Sequence, residues 1–380
     1  MGEKTVPRKI LITGAGGFVG RNLVCELERF PEEYELLKVD VDTDEETFVS
    51  YISGCDFVVH LAGVNRPKNE AEFAEGNADL TTWLTNKLCE SGNIAPVAMT
   101  SSIQAALDNP YGASKAAAEN ALLAYGASQG VPVYIWRLPN VFGKWCRPNY
   151  NSAVATFCHN IARGLPVTVN DPERVMELIY IDDVISLIKG AINGEATAPD
   201  NSGLRSCGEV SRCLLREIPE KLTAFRDSRA TLMMPDIEYK LDRELYATYL
   251  SYLPEEEFAY ELTAHSDARG AFAEIIKSRA AGQISFSTTA PGVTRGNHWH
   301  HTKNEKFVVI SGEAVVRFRK IDGQDVISYE VSGERPTVVD IPPGYTHSIT
   351  NTSKTETMIM MIWASEPFDP ERPDTYYLEV

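Results

Sequence analysis

Basic charge is what this chain is short of: 36 lysines and arginines stand against 53 aspartates and glutamates in 380 residues, a formal net charge of −17 at pH 7. Binding to nucleic acid or to an anionic membrane needs a basic face, so this balance argues against both partners; any anionic ligand must be met by local groups. Paired cysteines are also missing. Cys25, Cys55, Cys89, Cys146, Cys158, Cys207 and Cys213 are odd in number and show no CxxC spacing, which excludes a disulfide framework and a zinc knuckle and points to reduced thiols. No run approaches the roughly 18 apolar residues of a membrane span. The opening MGEKTVPRKILITG has neither the apolar core nor the cleavage site of a signal peptide. The expected location is the cytoplasm.

What the chain does have is material for two cores. It exceeds the usual span of one domain, about 100 to 200 residues, and its 43% hydrophobic and 23% charged residues are ordinary for a globular enzyme. From about residue 8 to 190 short apolar runs (KILIT, DFVVHLAG, PVAMTS, VYIWRLPNVFG) alternate with helical patterns from Phe18, across 78–90 and from Ser114. That alternation predicts an α/β unit with a doubly wound parallel sheet. After about residue 270 the texture changes to QISFSTT, KFVVISG, EAVVRFRKI, TVVDIP and TMIMMIW, punctuated by Gly, Pro, Asn and Asp. These short runs predict an antiparallel all-β sandwich or barrel. Between them VSRCLLREIPEKL and DRELYATYLSYL read as helices, the second bridging the two halves. The expected domains are 1–250 and 260–380, with the boundary near 245–260.

A first site is legible in the α/β half. Gly14-Ala15-Gly16-Gly17-Phe18-Val19-Gly20 follows the first strand and opens a helix. Glycines there let the backbone turn tightly and approach a pyrophosphate, while the helix N-terminus offers unpaired N–H donors. Asp40, about twenty positions further on, can accept hydrogen bonds from an adenosine ribose and would repel a 2′-phosphate. That favours NADH, with neighbouring Lys38 weakening the preference; an ordinary loop acid is the plain alternative. Downstream, Ser102 closes an apolar run, and Tyr111 and Lys115 lie one helical turn apart. A phenol of ordinary pKa, about 10, is a poor proton shuttle at neutral pH, and a lysine beside it can lower that value and reach the nicotinamide ribose. Ser102 would then hold a substrate oxygen while Tyr111 protonates the alkoxide left by hydride transfer.

On TGAGGFVG, HLAG (His60 to Gly63), YGASK (Tyr111 to Lys115) and RLPNVFG (Arg137 to Gly143), the chain resembles the extended, nucleotide-sugar-modifying branch of the short-chain dehydrogenase/reductases. The resemblance implies a Rossmann-type fold and a catalytic set of Ser102, Tyr111 and Lys115. It implies a cofactor site formed by Gly14, Gly17, Phe18, Val19, Gly20, Asp40, Leu61, Ala62 and Gly63 together with Tyr111 and Lys115, and Asn140 facing the sugar nucleotide. The plain alternative for RLPNVFG is a strand end packed under the sheet.

A second site gathers around GNHWHHTKNE, which holds three of the seven histidines. On a strand His298 and His300 share a face, and Glu305 can return on the next strand. His347, in PPGYTHSITN, offers a fourth donor. Three imidazoles and a carboxylate suit Zn²⁺, Fe²⁺, Ni²⁺ or Mn²⁺. With Gly292 and Gly312 flanking, these stretches resemble both motifs of the cupin superfamily of small β-barrels, except that Pro336 stands where a glycine is expected. DARGAFAE (267–274) and GVTRGNH (292–298) resemble deoxysugar nucleotide epimerases that act at C3 and C5 of 4-keto sugars. In those cupins the histidine matching His298 is a base, and Arg269 would contact substrate. His298 is left with two roles, metal ligand or base; if it is a ligand, His301, Tyr345 and Lys306 are candidates for the base.

Over nearly its whole length the chain resembles the CapF-type bifunctional enzymes of capsular polysaccharide synthesis, on HLAGVNRP, SSIQA, DNPYGASK, FGKWCRPNYNS, GNHWHHTKNEKF and PDTYYLEV. What this implies is a cupin that epimerises a UDP-2-acetamido-2,6-dideoxy-4-hexulose at C3. An NADPH-dependent reduction at C4 follows, giving UDP-2-acetamido-2,6-dideoxy-β-L-talose on the route to UDP-N-acetyl-L-fucosamine. It also implies a homodimer with one Zn²⁺ per cupin. Members that bind NADPH carry basic residues just after the second strand, where Asp40 and Asp42 stand here, so NADPH by resemblance and NADH by local chemistry remain side by side. The alternative is a reductase, dehydratase or 4-epimerase of nucleotide sugars whose cupin is a structural dimerisation module.

Overall fold

The computed structural model describes residues 6–67 and 69–380. The chain forms two compact units: one runs to Leu222 and takes in Lys240–Leu253, the other consists of Thr223–Tyr239 and Pro254–Val380. In the first, β1 (Arg8–Thr13), α1 (Phe18–Leu27), β2 (Tyr34–Val39), α2 (Glu45–Gly54) and β3 (Phe57–His60) lead into α3 (Ala71–Phe73), a π-helical turn at Ala74–Asp79, and α4 (Leu80–Ser91). Then follow β4 (Val97–Ser102), α5 (Pro110–Gln129), β5 (Val133–Leu138), β6 (Asn140–Phe142), α6 (Ala153–Ala162), β7 (Val175–Tyr180), α7 (Ile181–Ile192), β8 (Ser211–Leu214), α8 (Glu217–Thr231), of which the residues from Thr223 belong to the second unit, and α9 (Lys240–Leu250).

Five strands pair in parallel in the order β2-β1-β3-β4-β5, and β6-β7-β8 form a smaller sheet. Period-two alternation along β1 sends Ile10 and Ile12 to one face, among Leu23, Leu27, Val184 and Ile188 of α1 and α7. Leu11 goes to the other, among Leu84, Leu88, Ala118 and Leu122 of α4 and α5. Helices thus cover both faces, which is why the strands read as continuous apolar runs. The fold is the doubly wound α/β architecture expected. Strand order reverses between β1 and β3, so a crevice opens at their C-terminal ends. His60 ties the two strands there: it is buried, with Nδ1 2.8 Å from Thr13 Oγ1 and Nε2 3.0 Å from Thr81 Oγ1.

Three local expectations are corrected. Helix α5 begins at Pro110, a turn before Ser114, because Asn109 accepts from the Gly112 N–H at 2.8 Å and a proline in the first turn needs no N–H partner. That early start brings Tyr111 into the helix. VSRCLLREIPEKL is not one helix: its first half is β8, antiparallel to β7, with Arg212 ion-paired to Glu177 at 2.7 Å, and α8 begins only at Glu217. DRELYATYLSYL is α9, held within the first unit by a buried Asp242 paired with Lys221 at 2.7 Å.

The second unit carries β9 (Ala264–Asp267), β10 (Gly270–Ser278), β11 (Gly282–Thr289), β12 (Thr294–Trp299), β13 (Glu305–Ser311), β14 (Glu313–Lys320), β15 (Val326–Ser332), β16 (Val338–Ile341), β17 (Tyr345–Asn351), β18 (Met358–Ala364) and β19 (Tyr376–Tyr377). They form two antiparallel sheets, β16-β13-β18-β11-β10-β9 and β15-β14-β17-β12-β19. The apolar core between them is built by Phe307, Val309, Val316, Phe318, Ile349, Met358 and Met360.

The burial of His60 has a measurable signature. Burial first, and then the charge of Lys115, pull its pKa from 6.5 to about 3. The unfolded chain therefore binds a proton in that window that the folded chain refuses, so stability is fully present above about pH 6.5 and falls as pH drops towards 3, by up to about 1.4 kcal/mol per unit. Thermal unfolding across that range should give a clearly shallower acid limb for His60→Gln than for the wild type, even if the variant is less stable throughout.

Candidate active sites

The first site sits in the crevice at the ends of β1, β3 and β4, in a cavity of about 600 Å³. Its floor is the glycine loop. Gly14 has φ +67°, and a Cβ there would lie 2.8 Å from Ala62 N; a Cβ on Gly20 would lie 2.1 Å from Gly14 O. Side chains at these two positions would push the loop off β3 and α1 off the loop. α1 begins with no side-chain cap, so its first N–H groups are left for a ligand. Gly14, Gly17, Phe18, Val19, Gly20, Leu61, Gly63, Tyr111, Lys115 and Asn140 all line this cavity. Ala62 does not; its N–H donates to Thr13 Oγ1 at 3.2 Å.

Asp40 lies beside an adjoining hollow of about 590 Å³, with Arg21 and Lys38. Its carboxylate is already engaged: Oδ2 accepts from Gly16 N–H at 2.6 Å and Oδ1 from Val41 N–H at 2.9 Å. Asp40 therefore braces the glycine loop; of the two cations lining the same hollow, Lys38 is paired with Glu28 at 2.9 Å and Arg21 lies over the Trp145 ring.

On the opposite wall, Ser102 ends β4 with its Oγ accepting from the Gln104 N–H at 3.2 Å, and it lines the same cavity as the phenol of Tyr111. Tyr111 and Lys115 share a face of α5. Lys115 Nζ donates to Thr100 O at 3.3 Å, and its pKa is brought down to about 8 by burial, against the pull of Glu119. The expectation that Lys115 lowers the phenol pKa is not met: burial pushes Tyr111 up, with the Ser102 hydroxyl pulling the other way. A phenol that stays protonated suits a proton donor.

Two positioning residues escaped the sequence reading. Asn77, on the π-helical turn, donates to Val64 O at 2.9 Å and to Ser114 Oγ at 3.1 Å, pinning the loop after β3 to α5. Glu119, buried in α5, accepts from Arg137 at 2.7 Å and from Ser101 Oγ at 2.5 Å, locking the helix to β4 and β5. Arg137 belongs to RLPNVFG, so that motif is in part structural. A buried acid at Glu119 in a YGASK helix was the available signal.

The second site lies between the sheets of the second unit. His298 on β12, His300 just past its end, Glu305 at the start of β13 and His347 on β17 each present one donor atom, all within 4.8 Å of one another. A bulge at Asn297 (φ +57°) precedes His298, which sits opposite His347 in the register. His300 Nδ1 meets Asp374 O at 2.6 Å, which leaves Nε2 turned to the cluster, 3.4 Å from Glu305 Oε2. The Asp374 carboxylate in turn accepts from the N–H groups of His301, Thr302 and Lys303 at 2.8–3.0 Å. This clip ties PDTYYLEV to a site more than 70 residues upstream. His347 is fully buried with Nδ1 unpartnered and Nε2 3.5 Å from Glu305 Oε2, too long for a good hydrogen bond. Burial pulls His298 down to about 4, so its imidazole is neutral at pH 7. Burial pushes Glu305 up, but the His300 and His347 rings facing it outweigh that and hold the carboxyl below its usual range. A buried donor set of three imidazoles and one carboxylate, with an orphaned ring nitrogen, fits a divalent metal.

This cluster opens on a cavity of about 710 Å³ that His298, Glu305 and Arg269 line. Arg269 is ion-paired with Asp267 at 2.6 Å. None of the three candidates for a separate base lines it. His301 is exposed, its ring 4.5 Å from that of Trp299; Lys306 is exposed and paired with Asp340; Tyr345 lies elsewhere on β17.

Residues 10–201 match the NAD dependent epimerase/dehydratase family and residues 265–376 the polysaccharide biosynthesis C-terminal domain. The chain is 46% identical to the UDP-2-acetamido-2,6-beta-L-arabino-hexul-4-ose reductase of Pseudomonas aeruginosa, over 98% of this chain and 99% of that protein. It is similar to the crystal structure of the capsular polysaccharide assembling protein CapF from Staphylococcus aureus, with a TM-score of 0.91, 46% identity, and coverage of 98% of this chain and 100% of that one. A spore coat polysaccharide biosynthesis protein of Bacillus subtilis is 27% identical over 30% of this chain and 82% of its own length.

If the four donors hold a metal, replacing His298 and Glu305 together by Ala should take bound divalent metal from about one per chain to background, and chelation should lower the unfolding temperature of the wild type but not of the double variant. Metal analysis giving the same content in both proteins would refute the site.

Proposed function

The chain belongs to the NAD dependent epimerase/dehydratase family and, over its whole length, to the family of the UDP-2-acetamido-2,6-beta-L-arabino-hexul-4-ose reductase and CapF, and from that premise we propose a bifunctional nucleotide-sugar enzyme. The second unit epimerises a UDP-2-acetamido-2,6-dideoxy-4-hexulose at C3, and the first reduces its C4 ketone. The product is UDP-2-acetamido-2,6-dideoxy-β-L-talose, on the route to UDP-N-acetyl-L-fucosamine for a surface polysaccharide. The observation that carries the reductase reading is that Ser102, Tyr111 and Lys115, the last two one turn apart on α5, line one cavity with the glycine loop.

In the first unit the nicotinamide, when bound, supplies a hydride to C4. Ser102 holds the ketone oxygen, and the Tyr111 hydroxyl, protonated at neutral pH, gives its proton to that oxygen as negative charge develops. Lys115 stabilises the phenolate left behind and can turn from Thr100 O to a cofactor ribose. Asn140, whose Nδ2 donates to Glu177 O at 3.2 Å, stands on the cavity wall where a sugar nucleotide would lie. NADPH is the proposed cofactor: the Asp40 carboxylate faces backbone donors, which leaves Arg21 to meet a 2′-phosphate, while Lys38 on the same hollow is paired with Glu28 at 2.9 Å.

In the second unit a divalent metal, Zn²⁺ in this proposal, held by His298, His300, Glu305 and His347 would act as a Lewis acid at the same ketone. His298 is then a ligand, not the base. The two chemistries meet in one group: the C4 ketone acidifies the C3 hydrogen, and its later reduction traps the new configuration. A homodimer is supported by the edge strand β15, on which Val326, Ile327 and Tyr329 are exposed. Seven unpaired thiols agree with a cytoplasmic enzyme.

Tyr111→Phe should lower C4 reduction by about a hundredfold or more while C3 hydrogen exchange into deuterated water continues at the wild-type rate; loss of both activities would contradict the division of labour. Arg21→Ala should weaken NADPH binding about tenfold and leave NADH binding nearly unchanged, the loss of one charge-assisted hydrogen bond. Wild-type protein that binds NADH more tightly than NADPH would return Asp40 to the ribose.

A further inference from the structure

The geometry points to Glu274, oriented by an ion pair with Lys277, as the base that takes the C3 proton in the second cavity; this rests on the epimerase reading above. On a regular strand two residues three apart face opposite sides. The register of β10 on β11 runs from Glu274↔Ser285 to Ile276↔Ile284, so Ile275 is an extra residue in a bulge. A one-residue bulge reverses the facing of everything beyond it. Glu274 and Lys277 therefore share a face, with Lys277 Nζ 2.8 Å from Glu274 Oε2 and the two side chains only 21% and 26% exposed for Lys and Glu. The far edge of β10 is held as well: Lys277 N–H donates to Leu232 O and Met234 N–H to Lys277 O, each at 2.7 Å.

Both residues line the cavity that His298 and Glu305 line. Its floor is built for a polar ligand. On β11 the buried residues are Gln283, Ser285, Ser287 and Thr289, while Ile284 between them is 36% exposed, the reverse of a strand facing an apolar core. Ser287 Oγ is buried at the cavity without a partner, so a hydroxylated ring would satisfy it.

The other ionisable groups on the wall are engaged or exposed. Lys303 Nζ donates to Pro373 O at 3.1 Å and Thr375 Oγ1 at 2.9 Å, Arg295 donates to Thr288 O at 3.2 Å, and Arg269 is paired with Asp267. His265 and Glu366 are exposed. The histidines and Glu305 converge on one another. The sheltered carboxylate left for carbon-acid chemistry is Glu274.

In the step, Glu274 forms an O–H bond as C3–H breaks. The C–H pair moves into the C3–C4 bond, and the carbonyl pair moves onto O4, giving an enolate. A cavity water then donates a proton to C3 from the opposite face, the C4 carbonyl reforms, and the hydroxide takes the proton from Glu274, restoring base and water. Solvent hydrogen thus enters C3 once per inversion.

The test uses the full-length protein with a UDP-linked 4-keto deoxysugar in deuterated water and no reduced cofactor. Glu274→Gln should lower deuterium entry at C3 by about a hundredfold or more through kcat with KM little changed, while metal content and NADPH binding stay as in the wild type. Glu274→Asp should recover part of the rate, and Lys277→Gln should cost less than Glu274→Gln. Exchange in Glu274→Gln within about threefold of the wild type would overturn this role alone, leaving the epimerase reading intact. Loss of exchange together with loss of metal, unrelieved by Glu274→Asp, would also overturn it, in favour of a structural pair. A wild type that incorporates no deuterium would overturn the epimerase reading and this base with it.

Discussion

A buried imidazole must satisfy two ring nitrogens, and the way each unit meets that demand decides what its histidines do. His60 finds threonine hydroxyls on both sides and becomes a neutral rivet between β1 and α4. His347 is as deeply buried but has no such partners, and its neighbours His298, His300 and Glu305 point at the same small volume. The first arrangement is complete in itself; the second leaves four donor atoms converging on a volume that a divalent cation would fit.

The supports around each site obey the same rule. Glu119 is a buried charge made tolerable by a bidentate Arg137 and by Ser101, and in return it fixes the helix that carries Tyr111 and Lys115. Asp374 anchors the chain past the last long strand by taking three successive N–H groups, and its own carbonyl orients His300. In both places a candidate site residue is positioned by a charged residue outside the site.

Much of this was legible in the sequence because it is local. The glycine loop, the one-turn spacing of Tyr111 and Lys115, the period-two strands and the pairing of His298 with His300 are set by residues near one another, and the structure brings them together. What was illegible depends on distant partners. β8 looked helical because its four residues gain their strand character from pairing with β7. The boundary between the units is crossed three times because Thr223–Tyr239 packs with the second unit and Lys240–Leu253 with the first. That Asp40 also braces the glycine loop, accepting from the Gly16 N–H, depends on β2 and the loop lying side by side. DARGAFAE was visible as a motif, but the bulge that turns Glu274 and Lys277 to one side could not be seen without the register on β11.

The central claim is that one ketone is worked on twice, first through its neighbouring carbon and then directly. Running the complete reaction in deuterated water with unlabelled NADPH, and reading the isolated product by proton NMR, tests it in one experiment. The account predicts deuterium at C3 and protium from the cofactor at C4, with C3 inverted. A reduced product that keeps its original C3 hydrogen would contradict it.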